Sequence, residues 1–240
     1  MKRKNLQRIA MPLFAMVLTL GFTAGDRPAA FADHASDAKQ SVEKAKLTFD
    51  TFAAAKDLES FRSLLKKAKG VFISPQVLRG AFVFGLSGGS GVLVTRDPKE
   101  ASWNGPAFYT IGEAGFDFQA GGQASQVVTL AMTERGVNAL LSPSVKLGAD
   151  VGVAVGPVGA GAAAATANIS ADIVTYSLAK GLYGGVSLTG AVVAVRNEWN
   201  EAYYGKPGVS PTGILIREEV KNSHPAQLVQ AVAKAASVIE

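Results

Sequence analysis

Val71-Phe72-Ile73, Phe82-Val83-Phe84 and Val92-Leu93-Val94, with Gly85-Leu86-Ser87-Gly88-Gly89-Ser90-Gly91 between the last two, mark where the hydrophobic pattern of this chain changes period. Before Gly70 apolar residues recur every three or four positions; after it they come in short runs or alternate. Such a switch separates a helical segment from a β-rich one. The apolar triplets predict strands, Pro75 predicts the end of the first, and the glycine-rich run predicts a hairpin connection.

Upstream, Ala38, Val42, Ala45, Phe49 and Phe52 place one apolar face on a helix over residues 36–55. Lys39/Glu43 and Lys46/Asp50 stand at i,i+4 on its polar side. Leu58, Phe61, Leu64 and Leu65 predict a second helix over 57–68, with Asp57 as N-cap and Gly70 just past its end.

Downstream, Asp97-Pro98 and Asn104-Gly105-Pro106 are turn signals. Phe116, Phe118 and Ala120 alternate with Asp117 and Gln119 as a half-buried strand, and 127–132 reads as another. Thr133 is placed to cap a short helix over 134–141. The stretch 151–171 is uncharged and rich in Gly, Ala and Val, with Val151, Val153 and Val155 on one face and Gly152, Ala154 and Gly156 on the other. That pattern predicts a strand with one bare face, a turn at Gly156-Pro157-Val158-Gly159 and a return strand over 169–179. A strand over 186–196 and a helix from Pro225 to about Val238 complete the chain. The expected class is α+β: N-terminal helices on a twisted, barrel-like antiparallel sheet, closed by a C-terminal helix.

The first 32 residues read as a secretory signal: Met1-Lys2-Arg3-Lys4 and Arg8, an apolar run over 9–22, and Ala30-Phe31-Ala32 before Asp33. The expectation is export after cleavage, leaving one domain over 33–240. This segment holds five of the 24 basic residues and one of the 19 acidic ones, so the remainder carries 19 and 18, a net charge of +1. A nucleic-acid-binding domain keeps a marked basic excess, so that class is disfavoured. There is no cysteine, hence no disulfide framework, no thiol nucleophile and no acylated lipoprotein cysteine.

Catalytic patterns are thin. His34 and His224 are the only histidines, and they have no metal-ligand spacing. Gly85-Leu86-Ser87-Gly88-Gly89 matches G-x-S-x-G formally, but that motif needs a helix after the serine, and Val92-Leu93-Val94 is strand-like. The run also lacks the G-K-[ST] ending of a phosphate loop, and Val94 stands where a dinucleotide fingerprint needs glycine. Glu113, Asp117, Asp150 and Asp172 are scattered and define no acid–base pair. Gly148, Gly152 and Gly156 form a G-x-x-x-G series, which alternating valines and Pro157 assign to strand in preference to a membrane helix. No cofactor or metal is expected. Arg62, Lys66, Lys67 and Lys69 end the second helix, where the dipole favours cations and where a basic patch can also meet an anionic bilayer.

The ordered landmarks Ala68-Lys69-Gly70-Val71, Gly88-Gly89-Ser90-Gly91-Val92-Leu93, Trp103-Asn104-Gly105-Pro106, Gly115, Gln119-Ala120-Gly121 and Gly148-Ala149-Asp150 resemble the SYLF domain family. So do the run from Tyr176 to Leu188, Tyr203-Tyr204-Gly205 and Ile214-Leu215, so that the resemblance spans 58–215. It departs at Asn104, where the family usually has serine. The resemblance implies a binding module in place of an enzyme. Family members bind membranes or phosphoinositides, fungal ones are associated with actin, and bacterial ones are often exported envelope proteins. An exported chain does not meet actin, so the expected partner is an anionic lipid or membrane surface, and the expected site is Arg62, Lys66, Lys67 and Lys69. The alternative is an envelope protein that self-associates through its Gly/Ala-rich strands.

Overall fold

In a computed structural model the described residues are 27–81, 84–100, 102–116, 121–166, 169–179, 181–184 and 188–237. The expected leader lies, up to residue 26, outside them. Helix α1 (Arg27–Ala54) begins on the N-terminal side of the expected boundary at Asp33. A 3-10 turn (Lys56–Leu58) links it to α2 (Glu59–Leu65). Asp57 lies inside that turn and Leu58 holds the N-cap position, so the anticipated Asp57 cap does not form.

Four long strands follow: β1 (Gly70–Ala81), β2 (Phe84–Arg96), β3 (Trp103–Phe116) and β4 (Gly121–Ala131). Three readings change here. Gly85–Gly91 is not a hairpin loop but the first half of β2, paired on both sides with β1 and β3. Pro75 does not end β1; it sits in a bulge between Ile73 and Gln76, the place where a strand tolerates a missing N–H. Asn104-Gly105-Pro106 lies inside β3, with a cis peptide bond before Pro106. Phe82, Val83, Asp117, Phe118 and Ala120 fall outside the described residues.

Beyond β4 come α3 (Glu134–Leu141), β5 (Ser144–Lys146), β6 (Val153–Val155), α4 (Ala162–Ala165), β7 (Ile173–Ala179), β8 (Leu182–Gly184) and β9 (Val192–Val195). Helices α5 (Asn197–Tyr204), α6 (Pro211–Leu215) and α7 (Ala226–Ser237) end the chain. Among its described residues the Gly/Ala/Val stretch therefore yields a three-residue strand and one helical turn, and part of the strand expected over 186–196 lies outside the described residues. The sheet order is β5-β9-β3-β2-β1-β4-β7-β6, with β8 also on β7. Its centre, β3-β2-β1-β4, is a Greek key: three strands in succession and a fourth returned beside the first. Every pair is antiparallel except β6 with β7, so the sheet is mixed and not purely antiparallel. It curls but stays open, since β5 and β6 end it.

Both faces of this sheet are covered, which explains the unbroken apolar triplets. Val71 and Ile73 point to α1, α2 and α7, while Phe72 between them points to the layer of α3 and α6. All three are essentially inaccessible. Gly156 marks a very close approach: a Cβ there would lie 2.2 Å from the Tyr176 ring. The expected bare strand face thus serves to admit an aromatic ring. The Tyr176 hydroxyl lies 3.0 Å from Ser60 Oγ, and Ser60 also donates to the Pro157 carbonyl, tying α2 to both segments.

Candidate functional site: a basic-rimmed groove between three helices

The four basic residues expected to act together divide between two sides of the α2 end. Arg62 and Lys66, one turn apart, face a groove against α1 and α7 of about 510 Å³. Lys67 and Lys69 turn to a larger hollow of about 700 Å³ at the sheet end, between the β2–β3 turn, α3 and α6. In that hollow Lys69 Nζ is 2.7 Å from Glu134 Oε1, and Arg96 donates to the Lys66 carbonyl at 3.0 Å. Asp97 accepts the N–H groups of Lys99 and Glu100, which hold its carboxyl below the usual range. Among the described residues Lys67 has no ion-pair partner there, while Lys69, Arg96, Asp97 and Glu134 are engaged within the fold.

The smaller groove differs. Phe49, Ala53, Ala54, Ala231 and Ala235 form an apolar floor and walls. Arg62, Lys66 and Lys234 stand at the rim, and the one acid there, Asp50, is taken up by Lys46 at 2.6 Å. Arg62 spends one N–H on the Ala55 carbonyl at the C-terminal end of α1. Among the described residues the ammonium groups of Lys66 and Lys234 have no ion-pair partner. Alanine at four lining positions leaves the space open, and uncompensated cations beside it favour an anionic group. Lys234 was not singled out from the sequence. Its position in the last turn of a Pro-initiated helix was legible, but not the docking of that helix beside α2.

The remaining candidates disperse. Ser87 sits in mid-β2 between Arg79 and Glu113 on neighbouring strands, and Arg79 is 3.5 Å from Glu113. His224 lies against the Tyr203 hydroxyl at 3.1 Å and near Glu43, on the helical side. His34 is on α1. Asp150 accepts the Lys146 N–H, and Asp172 accepts from Thr133 and Gly152. Asp117 is outside the described residues. Among the described residues no three His, Asp or Glu side chains are grouped to hold a metal, and no helix is long and apolar enough to cross a membrane.

The profile of a family described as "Ysc84: Las17-binding protein actin regulator" matches residues 112–235, from within β3 into α7. The chain belongs to the Ysc84 family. This is the SYLF-type domain that the glycine landmarks resemble. Among its Ysc84 relatives, Protein YSC84 of Saccharomyces cerevisiae is 35% identical over 147 residues, covering 59% of this chain and 31% of that protein. SH3 domain-containing YSC84-like protein 1 is 34% identical over 143 residues in Homo sapiens, and 30% over 169 residues in Xenopus laevis. The match covers 41% of the human protein and 50% of the frog protein, so this chain spans a third to a half of such relatives. The Ysc84 match includes the α7 wall of the groove; α1 and α2 lie before it.

Proposed function

We propose that this chain is a non-catalytic binding module that holds anionic lipid at the groove between α1, α2 and α7, and that it does so after export. One observation carries the reading: Arg62, Lys66 and Lys234 rim an apolar hollow, and the two lysines are left without counter-charges. Each such cation near an anionic bilayer adds on the order of 1 kcal/mol. The leader-like pattern of residues 1–32 supports export.

Flotation with anionic and with zwitterionic vesicles tests the reading. Association is expected only with anionic vesicles, and Lys66→Glu with Lys234→Glu should reduce it by about tenfold or more, as two reversed charges imply. Equal recovery with both vesicle types would defeat it. The relatives' names favour a second reading, in which the module serves an actin-regulating assembly. Co-sedimentation with actin filaments tests that, and fractionation of the source cells decides whether the chain leaves the compartment in which it is made.

A further inference from the structure

We infer that the groove seats a single acyl chain, so that the ligand is a one-chain anionic amphiphile, such as a long-chain carboxylate, drawn out of the bilayer. This deepens the lipid reading above and rests on it.

The dimensions favour one chain. The α1 wall runs from Phe49 to Ala54 and the α7 wall from Ala231 to Ala235, little more than one turn of each helix, at about 5.4 Å per turn. A peptide helix is rigid and docks through anchors spread over two turns or more, i to i+7, whereas a flexible acyl chain can bend to fit walls this short. A volume near 510 Å³ falls within the roughly 300–1,000 Å³ typical of small-molecule sites. The lining chemistry is divided in the same sense as an amphiphile. Alanine methyls and the buried Phe49 ring offer nothing to a polar group.

The rim supplies the other half. Lys66, at the end of α2, and Lys234, on α7, both line the groove, and Arg62 keeps N–H groups beyond the one given to Ala55. A carboxylate placed between them gains charge-assisted hydrogen bonds from both sides. A zwitterionic head would set its own cation against theirs. At the larger hollow of the sheet end two acids, Asp97 and Glu134, lie among the lining and Lys69 is already paired, which disfavours an anion there.

The test uses the full chain, stripped of lipid, titrated calorimetrically with palmitate and with lysophosphatidylcholine. Palmitate is expected to saturate at one equivalent, with lysophosphatidylcholine about tenfold weaker or more. Ala235→Trp, or the milder Ala231→Leu if the first misfolds by near-ultraviolet circular dichroism, should fill the groove and lower palmitate affinity by about tenfold. Palmitate affinity unchanged in both variants, or uptake of many equivalents without saturation, overturns the inference. Absence of palmitate binding alongside intact vesicle association overturns it and leaves the broader lipid reading standing; absence of both removes both.

Discussion

Asn200 is a polar side chain with no exposed surface, and it stands where β3 loses its neighbour. Past Tyr109 the ladder with β9 ends on one bond, from the Arg196 N–H to the Phe108 carbonyl at 2.9 Å, and Asn200 completes it, accepting the Phe108 N–H at 2.9 Å and donating to the same carbonyl at 3.3 Å. Asn200→Ala leaves a buried N–H unpaired, and urea unfolding should show a loss of about 1–3 kcal/mol. A similar contrast separates two glycines of β2. A Cβ on Gly91 would lie 2.5 Å from the Phe72 ring and 2.8 Å from the Ile73 carbonyl oxygen, whereas one on Gly88 would meet nothing nearer than 3.9 Å. Gly91→Ala should cost about 1–3 kcal/mol through overpacking, and Gly88→Ala no more than about 0.5 kcal/mol. Equal effects at the two sites would refute the packing argument. The sequence marked both glycines as breakers because neither the ring above Gly91 nor the strands flanking both are visible in a local window.

Helix α3 shows how an element is held at its end. The Thr133 hydroxyl accepts the Gly136 N–H at 3.0 Å and donates to Asp172 at 2.6 Å, joining the helix start to the segment before β7. The Thr133 hydroxyl foremost, then the Gly152 N–H and the Arg135 guanidinium, hold the Asp172 carboxyl below the usual carboxylate range against a smaller opposing effect of burial. A folded-state pKa below the unfolded one gives stability that is complete above the unfolded value, near 3.9, and disappears as pH falls through the lower folded value. Thermal unfolding between about pH 2 and pH 6 should therefore separate the wild type from Asp172→Asn at the upper end and bring them together at the acid end. Parallel curves would remove Asp172 from the account. This helix was legible to the residue, because Thr133 and the period of Val137 and Leu140 are local signals. Helices α5 and α6 were not: what defines them is contact, Trp199 and Tyr203 on Phe108 and Leu215 beside Gly105. The parallel pairing of β6 with β7 was equally hidden, because three residues carry no directional signal of their own.

Across the whole molecule, charge near balance outside the leader-like segment gives little long-range attraction to a membrane. On the proposed reading, binding depends on the local cations of the groove, and salt should weaken it. Raising ionic strength from about 0.1 M to 1 M shortens the screening length from about 10 Å to 3 Å, and vesicle recovery should fall sharply across that range. Recovery independent of salt would point to apolar contact alone. The fold class was readable because periodicity survives in the helices and in parts of the sheet, although the first half of β2 and most of β3 carried no such signal; of the proposed groove, Arg62 and Lys66 stood out because they belong to a visible basic run at the end of α2. Which way each side chain turned, and the arrival of Lys234 from the far end of the chain, are products of packing. One consequence of the Greek key concerns chain length. Phe116 and Gly121 lie on strands with two others between them, so a flat sheet would hold them about 14 Å apart, three strand spacings. Five residue steps reach at most about 17–18 Å. Evolution can insert residues at this crossing freely, but each deletion must be met by tighter curvature, and the domain tolerates growth there far better than trimming.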